Sequence, residues 1–187
     1  MEEELVNLGD YLNLPKVNVQ WTEWQKWEDR SNHYPKEEVG VYCARGLDNR
    51  GNKRVYIGKA TGTDKFANRM SQHNTKHIQM RNDEFLETIT QEREIMYGVL
   101  SSEEVNLTRE TIKNAYIEDI EARLIRYFDT EQKNYRLAND NKFEKYEYKH
   151  EFMIVNQFKD KNNCKIMRET ISVRNALNEA EKFDFNK

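Results

Sequence analysis

Two short segments suited to β-strands, with turn-forming residues between them, limit the fold of this chain more than any other feature. Residues 39–44 and 53–59 contain the β-branched and aromatic side chains that strands favour. The intervening residues 45–52 include glycines, asparagines and an aspartate, which are typical of tight turns. The sequence therefore predicts an antiparallel β-hairpin over residues 39–59.

Further elements follow from the spacing of apolar residues. A helix begins at Thr63 or Asp64, whose side chains can cap it, and runs to about residue 78. Residues 94–100 predict a third strand, and a longer helix begins near residues 108–111 and ends at 128. These elements indicate a small α/β domain, of the α+β kind, with a largely antiparallel sheet covered by helices.

The patterns at the two ends of the chain are simpler. Trp21, Trp24 and Trp27 recur every three residues, which predicts one apolar stripe on an N-terminal helix. Toward the other end, residues 152–155 resemble a strand and residues 168–183 resemble a helix. A length of 187 residues suits one compact domain with terminal extensions.

The distribution of charge indicates a nucleic-acid partner, although the net charge is −3. Residues 43–81 contain nine basic and two acidic residues, so this segment carries +7 and the remainder −10. A basic patch on an acidic body is expected of a surface that binds phosphates, and chance clustering on a solvated face is the alternative. The candidate nucleic-acid-binding residues are Arg45, Arg50, Lys53, Arg54, Lys59, Lys65 and Lys76.

Glu121 stands out because it lies within the apolar face of the second predicted helix. At about 100° per residue it falls between Ile117 and Ile125, so its side chain points toward the sheet. A carboxylate there needs a metal ion, a cation or several hydrogen-bond donors, because burying it unpaired is costly. A metal-ligand role is favoured, and a buried ion pair with an arginine is the alternative.

Arg69 and His73 lie one turn apart on the first predicted helix and can point to one place. A guanidinium suits a phosphate, and an imidazole can transfer protons near neutral pH. Taken singly, Arg69 could be a surface ion-pair residue, and His73 or His77 a satisfied histidine of the core. His73 and His77 also have the spacing of zinc ligands, but no third ligand accompanies them.

Several short motifs occur in the order found in one nuclease family. Gly40-Val41-Tyr42 and Tyr56-Ile57-Gly58 resemble the two halves of the GIY-YIG signature, with valine in place of isoleucine. The family's other recurring residues follow in order: Arg69, His73, Glu121 and Asn134. The resemblance covers residues 39–135 and implies a small three-stranded antiparallel sheet flanked by helices. An N-terminal helical extension, 1–38, and a C-terminal extension, 136–187, which would serve substrate recognition or dimerisation, complete the chain.

The resemblance to the GIY-YIG superfamily implies a metal-dependent endonuclease that hydrolyses phosphodiester bonds in DNA, with RNA as the alternative substrate. Glu121 would hold one divalent ion, Mg²⁺ with Mn²⁺ as a substitute, and Arg69 would grip the scissile phosphate. Asn134 would fix the geometry of the site by hydrogen bonding, although Asn139 and Asn141 compete for this role.

The resemblance also assigns the transfer of protons. Tyr42 would orient or deprotonate the attacking water, which requires a lowered pKa because a free tyrosine titrates near about 10. Lys59, Arg69 and the metal would lower that pKa. Tyr56 and His73 would share the handling of protons.

Other functions stay open at this point. One is a catalytically inactive nucleic-acid-binding module of the same fold, and another is an interaction protein that presents exposed tryptophans. A homodimer would help an endonuclease to cut both strands. The N-terminus has neither the basic start nor the apolar stretch of a signal peptide, and no apolar run could cross a membrane. We therefore expect a cytoplasmic location, with Cys43 and Cys164 reduced.

Overall fold

The computed structural model describes residues 14–30, 35–78, 83–139, 146–159 and 166–173. Outside this set lie Arg81, Asn141, Cys164 and the side chain of His77. The strands are β1 (Lys16–Trp21), β2 (Gln25–Lys26), β3 (Gly40–Leu47), β4 (Lys53–Ala60), β5 (Gln91–Ser101), β6 (Arg136–Leu137), β7 (Phe152–Phe158) and β8 (Thr170–Val173). The helices are α1 (Phe66–Ile78), α2 (Glu84–Thr88) and α3 (Glu110–Thr130), with a short 3₁₀ helix at Trp27–Asp29.

Within the described ranges the strands form one mixed sheet of eight strands. Its order is β6-β4-β3-β5-β1-β7-β8, and β2 also pairs with β5. Strand β3 lies antiparallel to both β4 and β5, whereas β1 runs parallel to β7, and β4 runs parallel to β6. The contact between β3 and β5 requires a glycine, because a Cβ at Gly40 would lie 2.1 Å from the carbonyl oxygen of Gly98.

The predicted small three-stranded antiparallel sheet flanked by helices is wrong. The described residues form a large mixed sheet of eight strands, curled into a half-barrel, with few helices. Strands β3, β4 and β5 form an antiparallel unit, but the sheet continues beyond β5 through β1, β7 and β8. These further strands come from the segments 1–38 and 136–187, so one sheet crosses both predicted boundaries. The pairing of strands so distant in sequence cannot be predicted from a local pattern of residues.

The predicted N-terminal helix is also wrong for the residues described. Lys16–Trp21 forms β1, in which Val17, Val19 and Trp21 are buried and alternate with more exposed side chains. A period of two is typical of a strand with one buried face, and it overrides the three-residue spacing of the tryptophans. Trp21 and Trp27 are both buried, in separate clusters of the core. The proposal of an interaction protein with exposed tryptophans loses its basis.

Most other elements occur where the sequence predicts them. The hairpin, the third strand, both helices and the strand at 152–155 are confirmed by β3 and β4, β5, α1 and α3, and β7. The predicted helix at 168–183 is wrong over Thr170–Val173, whose β-branched residues form β8 beside β7. The segment from 174 to 183 lies outside the described residues. Among the helices described, none combines the length and the apolar character needed to span a membrane.

The sheet buries a core on each of its faces. Alternation along β3 and β4 sends Val41 and Ile57 to the face covered by α3. Tyr42 and Tyr56 point to the opposite face, where α1 and α2 pack. The residues of the GIY-YIG motifs are therefore divided between two faces, and β4 is a strand that both α1 and α3 contact.

Candidate active site

Tyr42 on β3 lies opposite Gly58 on β4 in the antiparallel register. A Cβ atom at Gly58 would lie 2.2 Å from both Cζ and the hydroxyl oxygen of Tyr42, so the ring lies directly over this glycine. The absence of a side chain at Gly58 lets the Tyr42 hydroxyl extend across β4. The tyrosine of the first motif and the glycine of the second are thus linked by a steric requirement.

We expect Gly58→Ala to lower the free energy of unfolding by about 1–3 kcal/mol, because the added methyl group would overlap the Tyr42 ring. Urea denaturation measures this loss. In a Tyr42→Ala background the same substitution should cost much less, because the ring is gone. An equal cost in both backgrounds would contradict the steric explanation.

Side chains from distant parts of the chain meet at the Tyr42 hydroxyl. It lies 2.6 Å from Nε2 of His73, and Nε of Arg69 donates to it at 3.3 Å. Arg69 also hydrogen-bonds Tyr56, and its Nη1 donates to Oε1 of Gln72 at 3.0 Å. The structure thus brings together four of the predicted catalytic residues, and Arg69 and His73 do point to one place.

Tyr56 packs among aromatic rings beside this cluster. Its ring stacks on Phe85 of α2 at 5.6 Å between centroids, and it meets the His73 ring edge-on at 5.9 Å. Such offset and edge-on contacts favour fixed ring positions. Tyr56 therefore holds one side of His73, while Tyr42 hydrogen-bonds its Nε2 atom.

His73 is buried, and both of its ring nitrogens are engaged. Nδ1 lies 2.7 Å from Oδ2 of Asp83, while Nε2 faces Tyr42. Burial lowers the pKa of His73, although Asp83 opposes that shift. Burial would raise the pKa of Asp83, but hydrogen bonds from His73 and from the backbone N–H of Leu86 make the net shift downward. The pair is therefore a neutral imidazole beside a carboxylate.

The groups of the protein itself raise the pKa of Tyr42, so any lowering would have to come from the metal ion. Burial, followed by electrostatic repulsion from Tyr56, raises the pKa of Tyr42 well above its ordinary value. Arg69 lowers it by its charge and its hydrogen bond, but these effects are smaller than burial. A buried phenol keeps its proton unless a base in contact accepts it, and Nε2 of His73 is such a base.

Glu121 extends from α3 and pairs with Lys59 of β4, with 2.9 Å between Oε2 and Nζ. The Glu121 side chain is only 12% exposed, and burial raises its pKa although Lys59 and Arg69 oppose this. Its carboxylate in turn contributes to the raised pKa of Tyr42. Glu121 therefore lies within electrostatic reach of Arg69 and Tyr42. The buried carboxylate that the sequence predicts has a lysine, not an arginine, as its ion-pair partner.

A magnesium ion at Glu121 would have one protein carboxylate as its ligand. Within the part of the chain that the structure describes, no group of three or more His, Cys, Asp or Glu residues could hold a metal ion. Mg²⁺ is commonly held by one or two carboxylates and completes its shell with waters and substrate phosphates. Glu121 supplies such a carboxylate, and the Lys59 ammonium competes with a metal for one of its oxygens.

The asparagine that borders the site is Asn139. Oδ1 of Asn139 accepts from the backbone N–H of Ile57 at 3.0 Å, and its Nδ2 donates to the Ile57 carbonyl at 2.7 Å. Ile57 stands between the tyrosine and the glycine of the second motif. Asn134, the asparagine first assigned to this role, has an exposed side chain, and its backbone N–H donates to Gln132. Sequence position alone does not distinguish Asn134 from Asn139. The path of the loop after α3 determines which of them contacts β4.

Among the described residues, the seven predicted nucleic-acid-binding residues divide into those held in ion pairs and those that are exposed. Four are held in ion pairs: Lys59 with Glu121, Arg45 with Glu94, Arg54 with Asp48, and Lys65 with Glu37. Arg50, Lys53 and Lys76 are exposed. The positive charge available to a phosphate backbone is therefore smaller than the count of basic residues suggests.

A cavity of about 700 Å³ lies at the other end of β3 from Tyr42. Its lining includes Arg45, Lys53 and Arg93, with Glu92 and Glu94 among them. Neither the tyrosine cluster nor Glu121 contributes to it. The cavity and the tyrosine cluster are therefore separate features of the molecule.

Asp83 is the residue of this site that the sequence prediction missed. It lies directly before α2, and its Oδ1 accepts from the backbone N–H of Leu86 at 3.1 Å, as the first residue of a capped helix does. An aspartate three residues before Leu86 is a sequence signal for such a cap. This capping signal does not predict the contact between Asp83 and His73, because His73 lies on another helix.

Comparison with known proteins leaves the geometry as the basis for function. No family model, curated protein or solved structure matches this chain. The resemblance to the GIY-YIG signature therefore depends on the motif residues and on the contacts between them.

Proposed function

We propose that this protein is a metal-dependent endonuclease of the GIY-YIG type that hydrolyses phosphodiester bonds in DNA. The observation that carries the proposal is the contact of Tyr42 with His73 and Arg69, within electrostatic reach of the largely buried carboxylate of Glu121. These side chains supply a proton acceptor, a cation for phosphate and an oxygen ligand for a metal. Phosphodiester hydrolysis needs all three.

Arg69 is suited to bind the scissile phosphate. Burial opposes its positive charge, but contacts with Tyr42 and Tyr56 raise its pKa, so the guanidinium stays protonated at neutral pH. The two tyrosines and Gln72 fix its orientation. The remaining N–H groups of a guanidinium held in this way can donate to phosphate oxygens and stabilise their charge in the transition state.

Glu121 would hold the Mg²⁺ ion. When bound there, the ion would stabilise negative charge on the phosphate oxygens. Glu121 must be ionised for this role, and burial works against ionisation by raising its pKa. Lys59 and Arg69 favour the carboxylate form and oppose that rise.

Tyr42 and His73 would activate the attacking water. As the water oxygen attacks phosphorus, its proton passes to the Tyr42 oxygen while the Tyr42 proton passes to Nε2 of His73, 2.6 Å away. The bond between phosphorus and the leaving oxygen breaks with its electron pair, and that oxygen takes a proton from solvent. Tyr42 then never exists as a free phenolate, which its raised pKa would make costly.

One observation favours a second function, an inactive nucleic-acid-binding module of the same fold. The ion pair between Lys59 and Glu121 uses a carboxylate oxygen that a metal ligand would need. Such a module would have no use for the buried hydrogen bond between Tyr42 and His73. Cleavage experiments separate the two functions directly.

We expect the protein to nick or linearise supercoiled plasmid DNA in Mg²⁺ or Mn²⁺, and to stop when EDTA removes the metal. Arg69→Ala should lower the cleavage rate by about 10²–10³-fold, because it removes a charged donor aimed at the phosphate. Agarose gels of timed reactions give the rates. A matched control is Arg109→Ala, which removes an exposed arginine just before α3 and should leave the rate unchanged.

The products decide between the candidate functions. Discrete fragments would add sequence specificity, and linear product formed without nicked intermediate would indicate that a homodimer cuts both strands. If the protein binds nucleic acid but cuts no plasmid, single strand or RNA, the inactive binding module is the correct description. Cleavage of RNA with DNA left intact would reassign the substrate.

A further inference from the structure

Asp83 lies behind His73, on the side of the imidazole away from Tyr42. Its side chain and that of His73 are both buried, with 2% and 4% of their surface exposed. Oδ2 of Asp83 lies 2.7 Å from Nδ1 of His73, and Nε2 of the same ring lies 2.6 Å from the Tyr42 hydroxyl. Three side chains thus form a continuous buried chain of hydrogen bonds.

The hydrogen-bond partners decide which nitrogen of His73 carries the proton. A carboxylate can only accept, so Nδ1 must be the nitrogen that bears the N–H. In a neutral imidazole, Nε2 is then unprotonated and accepts from the Tyr42 O–H. Asp83 therefore sets the one tautomer of His73 that can receive a proton from Tyr42.

The surroundings of His73 also determine how well it could carry a positive charge. Aromatic rings face it from three elements, and two cations on its own helix oppose a charged imidazole. Asp83 is the anion in direct contact, so it is the group that would stabilise an imidazolium. The groups that face or oppose His73 are Tyr42, Tyr56, Phe85, Asp83, Arg69 and Lys76.

We propose that Asp83 is a positioning residue that completes a Tyr42–His73–Asp83 proton relay. The inference rests on the proposed nuclease function and deepens it. When the Tyr42 proton moves to Nε2, His73 becomes an imidazolium hydrogen-bonded to the Asp83 carboxylate, which keeps its own charge. The proton returns through Tyr42 to solvent after the phosphate product leaves, so no atom of the relay is consumed. This division of work is that of the aspartate in a Ser-His-Asp triad.

The two oxygens of Asp83 have separate tasks, which makes the proposal testable. Oδ1 caps α2 by accepting from the backbone N–H of Leu86, while Oδ2 contacts His73. An asparagine can keep the capping oxygen and place its NH₂ group toward Nδ1. Asp83→Asn should therefore leave the cap in place and force His73 into the opposite tautomer, with the proton on Nε2.

The experiment compares Asp83→Asn with the wild-type protein in kinetics and in ¹⁵N NMR of the imidazole. We expect kcat to fall by about 10²–10⁴-fold, the range of general acid–base catalysis, with KM little changed. The ¹⁵N chemical shifts should show an unprotonated Nε2 in the wild-type protein and a protonated Nε2 in the variant. The matched control is Glu87→Gln, which alters the side chain that accepts from the Asp83 backbone N–H but does not touch His73.

The outcomes separate this inference from the proposed function. A kcat within threefold of the wild-type value, or an unchanged tautomer, would overturn the relay. A loss of rate that Glu87→Gln reproduces would also overturn it, because the cap would then explain the effect. If the wild-type protein cuts no nucleic acid, the nuclease function fails and the catalytic role of Asp83 fails with it. The tautomer change would still show whether Asp83 orients His73.

Discussion

Replacing Glu121 with glutamine should lower the rate of DNA cleavage on the order of 10³-fold or more, the largest effect on activity that we expect. The substitution keeps the size of the side chain and removes the negative charge that would hold Mg²⁺. A bound metal ion contributes several kcal/mol to the stabilisation of phosphate charge, and about 1.4 kcal/mol corresponds to a factor of ten. Single-turnover cleavage over a range of Mg²⁺ concentrations measures the loss.

Glu118→Gln is the matched control for this prediction. Glu118 lies three residues earlier on α3 and, like Glu121, pairs with a lysine, Lys149. Its side chain is more exposed than that of Glu121, and we expect its loss to change the rate less than threefold. Equal losses in both variants would mean that the general charge of the helix, and not a metal ligand, explains the effect.

The thermal stability of Glu121→Gln provides a second readout. Because burial raises the pKa of Glu121, the folded protein binds its proton more tightly than the unfolded chain does. The ionised form therefore costs stability at neutral pH, and the amide removes that cost while it gives up the ion pair with Lys59. A melting temperature close to the wild-type value, together with lost activity, would identify a functional carboxylate and not a structural one.

Removing the Asp119 carboxylate should have the largest effect on stability, with Asp119→Ala lowering the free energy of unfolding by about 3 kcal/mol or more. Asp119 on α3 is fully buried. Its oxygens accept from the backbone N–H groups of Lys149 and His150, from the Tyr146 hydroxyl, and contact Nδ1 of His150 at 3.0 Å. The alanine variant would leave several donors buried without partners, each at a cost of about 1–3 kcal/mol.

Glu118→Ala serves as the comparison in urea denaturation. In the wild-type protein Glu118 also connects α3 to the segment around Lys149, but through a more exposed ion pair. Such a pair is worth about 1 kcal/mol or less. A loss for Asp119→Ala no greater than that for Glu118→Ala would show that the buried hydrogen bonds do not stabilise this junction. Residues 146–150 fold over α3 and supply the groups that surround the Asp119 carboxylate.

Local patterns account for the parts of the fold that the sequence predicts. The β3–β4 hairpin has strand-forming runs on either side of turn residues, and α1 and α3 have regular apolar faces, so each is specified within a short window. The spacing of Trp21, Trp24 and Trp27 favours a helix, whereas the alternation of Val17, Val19 and Trp21 within β1 is that of a strand. The pairing of β1 with β5 and β7 cannot be predicted from a short stretch of sequence, because the partner strands are far apart in the chain.

The candidate site likewise has some features that local motifs predict and others that depend on the assembled fold. Tyr42, Tyr56, Arg69 and His73 belong to motifs whose spacing along a strand or helix determines where they point. Burial is a property of the assembled fold, so the direction of the Tyr42 pKa shift could not come from a list of nearby charges. The choice of Asn139 over Asn134 depends on the path of the loop after α3. Neither the Tyr42 pKa shift nor the choice of asparagine is determined by a few neighbouring residues.

The parallel pairing of β1 with β7 sets an order of events during synthesis on the ribosome. The indole N–H of Trp21 donates to Oδ1 of Asn156, and these residues are 135 positions apart. The strands β3, β4 and β5 can assemble as they emerge, but β1 must wait for β7 before its second edge is satisfied. An early strand with an open edge is a site for mispairing with other nascent chains. Tyr42, His73 and Asp83 all precede β7 in the chain, so their residues have been synthesised before the strand that completes this part of the sheet.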